Sequence, residues 1–493
     1  MEIELKLALP TSDPAGLARS LALIPLLARR KAVQQQLHNI YYDTPQQSLH
    51  QQRIALRLRR VGSAATGQWL QTLKIGGNSD SALSQRGEWE TAVPHPELDA
   101  DALADTPWST LDPQGRLFAA LAPCFTTQFT RTTWTVRQRD GSAVEVALDI
   151  GQIHVDGKST DLCELELELL AGDARALFHI ATQIAGSVAT LPLGISKAAR
   201  GYALASNTLR TPQRANPPAL ADDLAVPGAA LRVLREAFSH FTANLNGVLH
   251  SDDPELVHQA RVGWRRFKTS LKLFRKFTGT GAPAELQTLR PMLGALGALR
   301  DLEVASLETL PMLANAYTDG DPARQAHWRA MEQALAHAAD QQRDTLHQAL
   351  CEPGVGAALL AVTQWLEVEM AGQAHDAVAD PDDSLRDWAR RHTTRWHAQL
   401  KTALAKAHDA DSAHRARILA KRLRYGVEAL RPLLPKRRAK HWHLQATRLQ
   451  TDMGATRDVL QALAIAARFG IDPSLVEFLR GVAVGQKQKR GKN

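Results

Sequence analysis

The amino-acid sequence predicts an α+β domain built on a closed antiparallel β-barrel with a polar lumen and outer helices, followed by an all-α domain. Three observations carry this. Short stretches of period-two alternation dominate residues 1–206, long Leu/Ala-rich stretches with apolar residues three and four apart occupy residues 228–493, and a proline-rich segment lies between them. At 493 residues the chain is also too long for one ordinary core, because single cores stop growing well before that length.

The alternating stretches are, in order, "EIELKLAL" from Glu2, "IALRLRRV" from Ile54, "WLQTLKI" from Trp69, "GEWETAV" from Gly87, "TWTVRQR" from Thr133, "AVEVALDI" from Ala143 and "LCELELELL" from Leu162. Successive side chains on a strand point to opposite faces, so each stretch has one apolar and one polar face. The polar face is charged and rarely merely Ser/Thr. Glu2, Glu4 and Lys6 share one parity, as do Arg57 and Arg59; Arg86, Glu88 and Glu90; Glu145 and Asp149; and Glu164, Glu166 and Glu168. Solvated outer faces of an antiparallel sheet would account for any one of these strands. Seven strands with the same habit, beside helix candidates at residues 14–30, 97–122 and 172–187 that need apolar surfaces to dock on, favour the inverse arrangement. The helices then cover the Leu/Val faces outside and the charged faces look into a barrel. A lumen of mixed charge is costly when empty and dry, but not when it holds water, metal and a compact polyanion.

The segment "NTLRTPQRANPPALADDLAVP" holds four prolines, no aromatic residue and no sustained periodicity, which marks a linker at residues 207–227. Beyond it the sequence repeats. "HQARVGWRRFKTSLKLFR" from His258 matches "HRARILAKRLRYGVEALR" from His414 at an offset of 156, and "GALRD" from Gly297 matches "GATRD" from Gly454. Two helical halves are expected, at about residues 228–380 and 381–493. His258, Arg261, Arg265, Lys268, Lys272 and Arg275 fall three and four apart on one helical stripe. The second copy keeps that stripe as His414, Arg417, Lys421 and Arg424, with Glu428 in place of the fifth cation. A helix-face histidine bonded to a neighbouring carboxylate is the plain alternative for His258 and His414 taken singly. Arg300-Asp301 and Arg457-Asp458 read as internal salt bridges.

Charge is divided unevenly. The net charge is +8, yet residues 1–200 carry 19 Lys and Arg against 21 Asp and Glu, so the surplus belongs to the second part. A basic domain of this kind suits a polyanionic partner. The first residues lack the basic and apolar regions of a secretory signal, and no apolar run approaches the roughly 20 residues of a membrane helix, so a cytoplasmic location without membrane contact is expected. Cys124, Cys163 and Cys351 form neither a CxxC pair nor a disulfide framework.

The charged rows suggest a chemistry. Lys and Arg on several strands can surround a phosphate chain, Arg by bidentate contacts and Lys as a point charge. Glu at i, i+2 supplies hard oxygen ligands for Mg2+ or Mn2+, which can bridge phosphate oxygens and activate water for in-line attack. The Walker pattern GxxxxGK[ST] is absent, so a P-loop enzyme is not indicated.

"EIELK", "YYDT", "LRLR", "LQTLK", "RGEWE", "ELELE" and "SKAARG" follow one another through residues 1–203 in an order that resembles the CYTH superfamily, the triphosphate tunnel metalloenzymes. The repeated His/Arg/Lys helices of residues 225–493 resemble the CHAD domain, a helical module implicated in binding inorganic polyphosphate. The resemblance implies an eight-stranded tunnel with Glu2, Glu4, Glu164, Glu166 and Glu168 as metal ligands. It places Lys6, Arg57, Arg59, Lys74, Arg86, Arg131, Lys197 and Arg200 around the triphosphate, with Glu4, Lys6 and Arg59 closest to the reaction. Glu88, Glu145 and Asp149 would complete the lumen network, Glu168 alternatively facing solvent as the last residue of its strand. Arg137 and Arg139 match no motif and read as barrel-end charges. In the helical domain it implies polyphosphate contacts from His258, Arg261, Arg265, Lys268, His414, Arg417, Lys421 and Arg424.

The expected activity is Mg2+- or Mn2+-dependent hydrolysis of inorganic tripolyphosphate to pyrophosphate and phosphate, with the helical domain binding polyphosphate and nucleic acid not expected as a partner. The same superfamily scaffold serves adenylate cyclisation and organic triphosphate hydrolysis, and a polyphosphate-binding adaptor with an inactive barrel is a further alternative.

Overall fold

The computed structural model describes the chain except residues 12, 64–65, 77–80, 279–280, 379–383 and 491–493. Eight antiparallel strands form the barrel: β1 (Glu2–Ala8), β2 (Val33–Asp43), β3 (Ile54–Val61), β4 (Gln68–Ile75), β5 (Leu83–Val93), β6 (Ala122–Arg137), β7 (Ala143–Val155) and β8 (Lys158–Ala171). Their order is β5-β4-β3-β2-β6-β7-β8-β1, and pairing of β5 with β1 closes the ring. Closure leaves no open edge among these strands. A two-residue strand, β9 (Leu191–Pro192), adds to the far end of β1.

Alternation decides which way the charges point. Leu5, Leu7, Val144, Val146, Leu148, Leu165 and Leu167 are buried on the outside, against Leu17 and Leu21 of the Pro14–Ala22 helix and Leu177, Phe178, Ile180 and Ile184 of the Arg175–Ala185 helix. Opposite parity therefore faces the lumen, and Glu4, Lys6, Arg57, Asp149, Glu164 and Lys197 are each almost wholly buried there. Two local readings need correction. The expected helix at 97–122 is only three short turns, Asp101–Leu103, Trp108–Leu111 and Arg116–Ala119, because Pro107, Pro113 and Gly115 interrupt it. Even so, Leu103 and Trp108 cover the outer face of β3 and β4 as a longer helix would. Strand β2 is absent from the alternating stretches because its lumen parity is Gln35, Leu37, Asn39 and Tyr41, which carries no charge contrast.

Residues Val226–Val248, Pro254–Leu273, Arg290–Glu303, Pro322–Leu350 and Pro353–Gln364 form the principal helices before residue 380. Leu385–Ala405, Ala410–Ala429, Lys436–Ala466 and Pro473–Arg490 form those after it. The two repeated sequences occupy equivalent helices, Pro254–Leu273 and Ala410–Ala429, each started by an aspartate cap, Asp253 or Asp409. One apolar core crosses both halves: Phe241, Phe267 and Phe274 pack with Trp388, Trp396, Leu423 and Leu430. The halves are thus one folding unit, and the join expected near Pro381 lies outside the described residues.

The two domains interlock. Leu360 of the helical domain belongs to the apolar cluster outside the barrel, and Leu191 of β9 belongs to the helical core. Gly356 lets the backbones meet, since a Cβ there would lie 2.3 Å from the Thr190 carbonyl oxygen. The linker is docked as well: the Gln213 amide donates to Asn244 at 3.0 Å and the Asn216 amide donates to Glu236 at 2.8 Å.

Candidate active site

Strand register builds the lumen. On one side of β1, Glu2 stands opposite Arg86 and Glu4 opposite Ser84; on the other, Glu4 stands opposite Glu168, Lys6 opposite Glu166 and Ala8 opposite Glu164. Around the first half of β1 the charges alternate in sign. Lys74 Nζ lies 3.0 Å from Glu2 and 2.9 Å from Glu88, Arg86 Nε donates to Glu2 at 2.9 Å and its Nη2 to Glu4, and Lys6 lies 2.7 Å from Glu4. Burial pushes the Glu4 carboxyl up, but Lys6, Arg86 and Lys74 outweigh it and hold Glu4 below the usual carboxylate range. Glu168 goes the other way. Burial, then the neighbouring carboxylates of Glu2 and Glu88, push it up to about 7.

A second cluster occupies the other half. One oxygen each from Asp149, Glu164 and Glu166 lies within 4.8 Å of the others. Asp149 stands directly across β7 and β8 from Glu164. Lys197 reaches into the trio, 2.7 Å from Asp149, 2.5 Å from Glu164 and 2.8 Å from Glu166, and Arg131 forks across Asp149 at 2.8 and 2.6 Å while also donating to Glu166. Burial opposes the charges here too, yet Lys197, Arg131 and Lys6 hold Glu166 well below its ordinary range, and the three carboxylates raise Lys197. Three converging carboxylates are a donor set for a hard divalent cation, and they fit one.

Lys197 and Arg200 come from the helix Lys197–Ala205, which plugs one end of the barrel. Ser196 caps it by accepting from the Ala199 amide at 3.1 Å. Gly201 lets it seat, because a Cβ there would meet the Phe125 ring at 2.3 Å. Arg200 donates to Glu164 at 3.2 Å and to the Asp161 carbonyl oxygen at 2.6 Å.

Between the clusters the cations outnumber their partners. Arg59 donates to Asn39 at 2.9 Å and has Glu90 only at 3.9 Å. Arg57 has Glu88 at 3.6 Å. Burial, then Arg57 and Arg131, lower Arg59 to about 10, so it is still charged at neutral pH but crowded by like charge. An anion placed there would relieve that repulsion.

In the helical domain the two repeated stripes face each other. Burial, then the like charges of Arg417, Arg265, Arg457 and Arg261, lower Lys421 to about 8. Asp301 and Asp458 are the carboxylates that act on Arg261 and Arg417. Four cations from both halves, Arg261, Arg265, Arg417 and Lys421, therefore converge around the two carboxylates Asp301 and Asp458.

Residues 1–202 match the CYTH domain family and residues 232–467 the CHAD domain family. The chain is a CYTH domain followed by a CHAD domain. The inorganic triphosphatase of Haemophilus influenzae is 33% identical over 218 residues, covering 43% of this chain and 56% of that protein, so the match spans little more than half of that relative. Among solved structures, the CHAD domain of the plant Ricinus communis is 27% identical over 57% of this chain and 92% of its own, with a TM-score of 0.49. A putative adenylyl cyclase from Hippeastrum, described as having a dominant triphosphatase activity, is 18% identical over 41% of this chain and 96% of its own, with a TM-score of 0.30.

Set against the expected site, the CYTH lumen holds every residue assigned to it. Lys6, Arg57, Arg59, Lys74, Arg86, Arg131, Lys197 and Arg200 line one cavity with Glu2, Glu88, Glu145, Glu166 and Glu168. Glu168 is not the last residue of its strand, which runs on to Ala171, and it faces the lumen rather than solvent. The five expected metal ligands do not form one set, however. Glu164 and Glu166 converge with Asp149, whereas Glu2, Glu4 and Glu168 sit in the first cluster, because Lys6 stands opposite Glu166 and separates the two. The sequence pattern puts Asp149 in the lumen but does not group it with Glu164 and Glu166; its parity with Glu145 on a strand next to "ELELE" was the available signal. Arg137 and Arg139 are exposed, as expected of barrel-end charges.

The CHAD stripe is only partly assembled. Arg261, Arg265, Arg417 and Lys421 converge, and His258 lies beside Arg265 and Arg300. Lys268 and His414 are exposed, and Arg424 is turned onto the Tyr425 ring at 4.5 Å with Glu428 at 3.9 Å. Arg300 does form internal ion pairs, but with Glu303 and Glu308 rather than with Asp301.

Proposed function

We propose that the CYTH barrel hydrolyses inorganic tripolyphosphate to pyrophosphate and phosphate with Mg2+ or Mn2+, and that the CHAD domain binds inorganic polyphosphate, both in the cytoplasm. The observation that carries the barrel reading is Arg59: buried, crowded by Arg57 and Arg131, and short of carboxylate partners, in a lumen whose far side is an acidic trio. Arg57, Arg59, Arg131 and Lys6 would take the phosphate oxygens, the guanidinium forks fixing orientation and Lys6 neutralising charge as it builds on the terminal group. Asp149, Glu164 and Glu166 would hold the divalent ion, which supplies Lewis acidity and an activated water when bound. Glu4, kept ionised by Lys6 and Arg86, would keep Lys6 pointed at the substrate. Tunnel walls on all sides favour a slender chain, and the similarity to a protein named inorganic triphosphatase supports tripolyphosphate over a nucleotide.

The discriminating experiment is phosphate release by the full chain from tripolyphosphate, ATP and long-chain polyphosphate, each with and without Mg2+. Metal-dependent release fastest with tripolyphosphate supports the reading. Cyclic AMP from ATP would replace it with cyclisation, and polyphosphate binding with no turnover of any substrate would leave an adaptor.

A further inference from the structure

The cavity in the barrel does not stop at the plug. A single space of about 1800 Å3 runs from Glu2, Arg57 and Arg131 past Lys197 and Arg200 into a vestibule between the domains. There it is lined by Arg210 and Arg214 of the linker, His250 after the Val226–Val248 helix and His347 of the Pro322–Leu350 helix. The charges in this vestibule are unbalanced. Arg210 and Arg214 make no ion pair among the described residues. Of the acids nearby, Glu236 is taken by Arg266 at 2.8 Å, and Asp161 already accepts from Gln152 at 3.1 Å. Arg200 and Arg210 approach His250 closely enough that, after burial, they are the main influences lowering its pKa, so cations of the plug, linker and helical domain share one space. The rest of the lining is polar, with Thr211, Gln213 and Asn246.

We propose that this vestibule binds the part of a linear phosphate chain that projects beyond the triphosphate segment held in the barrel, with Arg210 and Arg214 as its principal contacts. The inference rests on the tripolyphosphate reading of the lumen and extends the substrate class to chains of four or more phosphates, whether turned over or held as competitors. An extended polyanion is the occupant because the vestibule opens directly onto the phosphate-holding cations, repeats their chemistry, and makes the cavity far larger than three phosphates fill.

The test uses the full chain and its Arg210→Glu/Arg214→Glu variant, two exposed linker positions whose side chains make no ion pair or hydrogen bond among the described residues. Linear phosphates of defined length, from three to about ten units, are titrated by calorimetry and as competitors of tripolyphosphate turnover. The variant is expected to bind the longer chains about 10-fold more weakly, with the loss shrinking at high salt, while tripolyphosphate binding and KM stay within about twofold. Unchanged affinity for the longer chains overturns the proposal. So does an equal loss for tripolyphosphate, which would make these arginines general attractants. An Arg261→Glu/Arg417→Glu variant, which weakens polyphosphate retention by the CHAD stripe, separates the two surfaces: if it reproduces the chain-length-dependent loss in competition with tripolyphosphate turnover, the CHAD stripe holds the overhang and the vestibule does not. Because calorimetry needs no turnover, a chain-length effect without hydrolysis would sink the catalytic reading and keep the vestibule.

Discussion

The Tyr202 hydroxyl donates to the Asp43 carboxylate at 2.8 Å, joining the plug helix to the end of β2 across 159 residues of sequence. Asp43 also accepts from the amides of Thr44, Leu49 and His50 at 2.7, 2.8 and 2.9 Å, and the Tyr202 ring stacks on His50 with centroids 4.0 Å apart. "YYDT" and "SKAARGY" are thereby one device. It seats the helix that carries Lys197 and Arg200 into the lumen.

Removing one end of this contact should be felt at the site. Tyr202→Phe is expected to cost about 1 kcal/mol of stability, and Asp43→Ala, which strands four donors, about 3 kcal/mol. Both should raise KM for tripolyphosphate. Urea denaturation and steady-state kinetics check this; wild-type kinetics in a folded Asp43→Ala protein would show that the plug does not depend on it.

Lys197 and a divalent cation address the same three carboxylates. Lys197→Met leaves Asp149, Glu164 and Glu166 to repel one another, a loss of about 3–5 kcal/mol without metal, as expected when one partner of a buried ion pair is removed. Mg2+ or Mn2+ should then raise the melting temperature by more than it does in wild type. An equal shift in both proteins would contradict the proposed ligand trio.

Glu168 makes stability depend on pH. Its folded pKa of about 7 lies above the ordinary 4.5, so its contribution is fully present below about pH 4.5 and is lost as pH rises through about 7. Glu168→Gln is therefore expected to match wild type near pH 4.5 and to be more stable than wild type at pH 8. Denaturation midpoints at the two pH values decide it, and a constant difference would remove Glu168 as the source.

Lys421 sets a pH dependence of the same sign on polyanion binding. Its pKa of about 8 in the free protein means that binding above pH 8 must first take up a proton. Polyphosphate affinity should fall as pH rises from 7 to 9, with proton uptake visible in calorimetry across buffers of different ionisation enthalpy. Arg261→Glu/Arg417→Glu should weaken retention about 10-fold or more at low salt. Flat pH behaviour together with no effect of charge reversal would remove the stripe from the binding surface.

Much of this architecture is legible from alternation alone. Seven strands with charged parity, beside helices needing apolar partners, imply an inward charged face, and Leu5, Leu7 and Leu167 beneath the outer helices bear that out. What escaped depended on register and long-range packing. Strand β2 has an uncharged lumen face, so nothing in its pattern announced a wall of the same tunnel. Whether five glutamates make one metal site or two clusters depends on which residue faces which across β1 and β8, and the pairing of Lys6 with Glu166 is not written in either strand. Likewise the helical period puts eight residues on two stripes, but only the packing of the Pro254–Leu273 and Ala410–Ala429 helices selects Arg261, Arg265, Arg417 and Lys421 to meet. The linker looked like a tether because its prolines hide the contacts that Gln213 and Asn216 make with the first helix of the CHAD domain.

The central claim is that the inward charges of β1 work with the lumen to cleave a triphosphate. Orthophosphate release from tripolyphosphate, measured with Mg2+ for wild type and for Glu4→Gln at matched folded concentration, tests it most directly. Glu4→Gln frees Lys6 and Arg86 from their shared carboxylate but leaves the apolar exterior untouched, so the account predicts a folded protein whose turnover falls by about 100-fold or more. Turnover equal to wild type would contradict it.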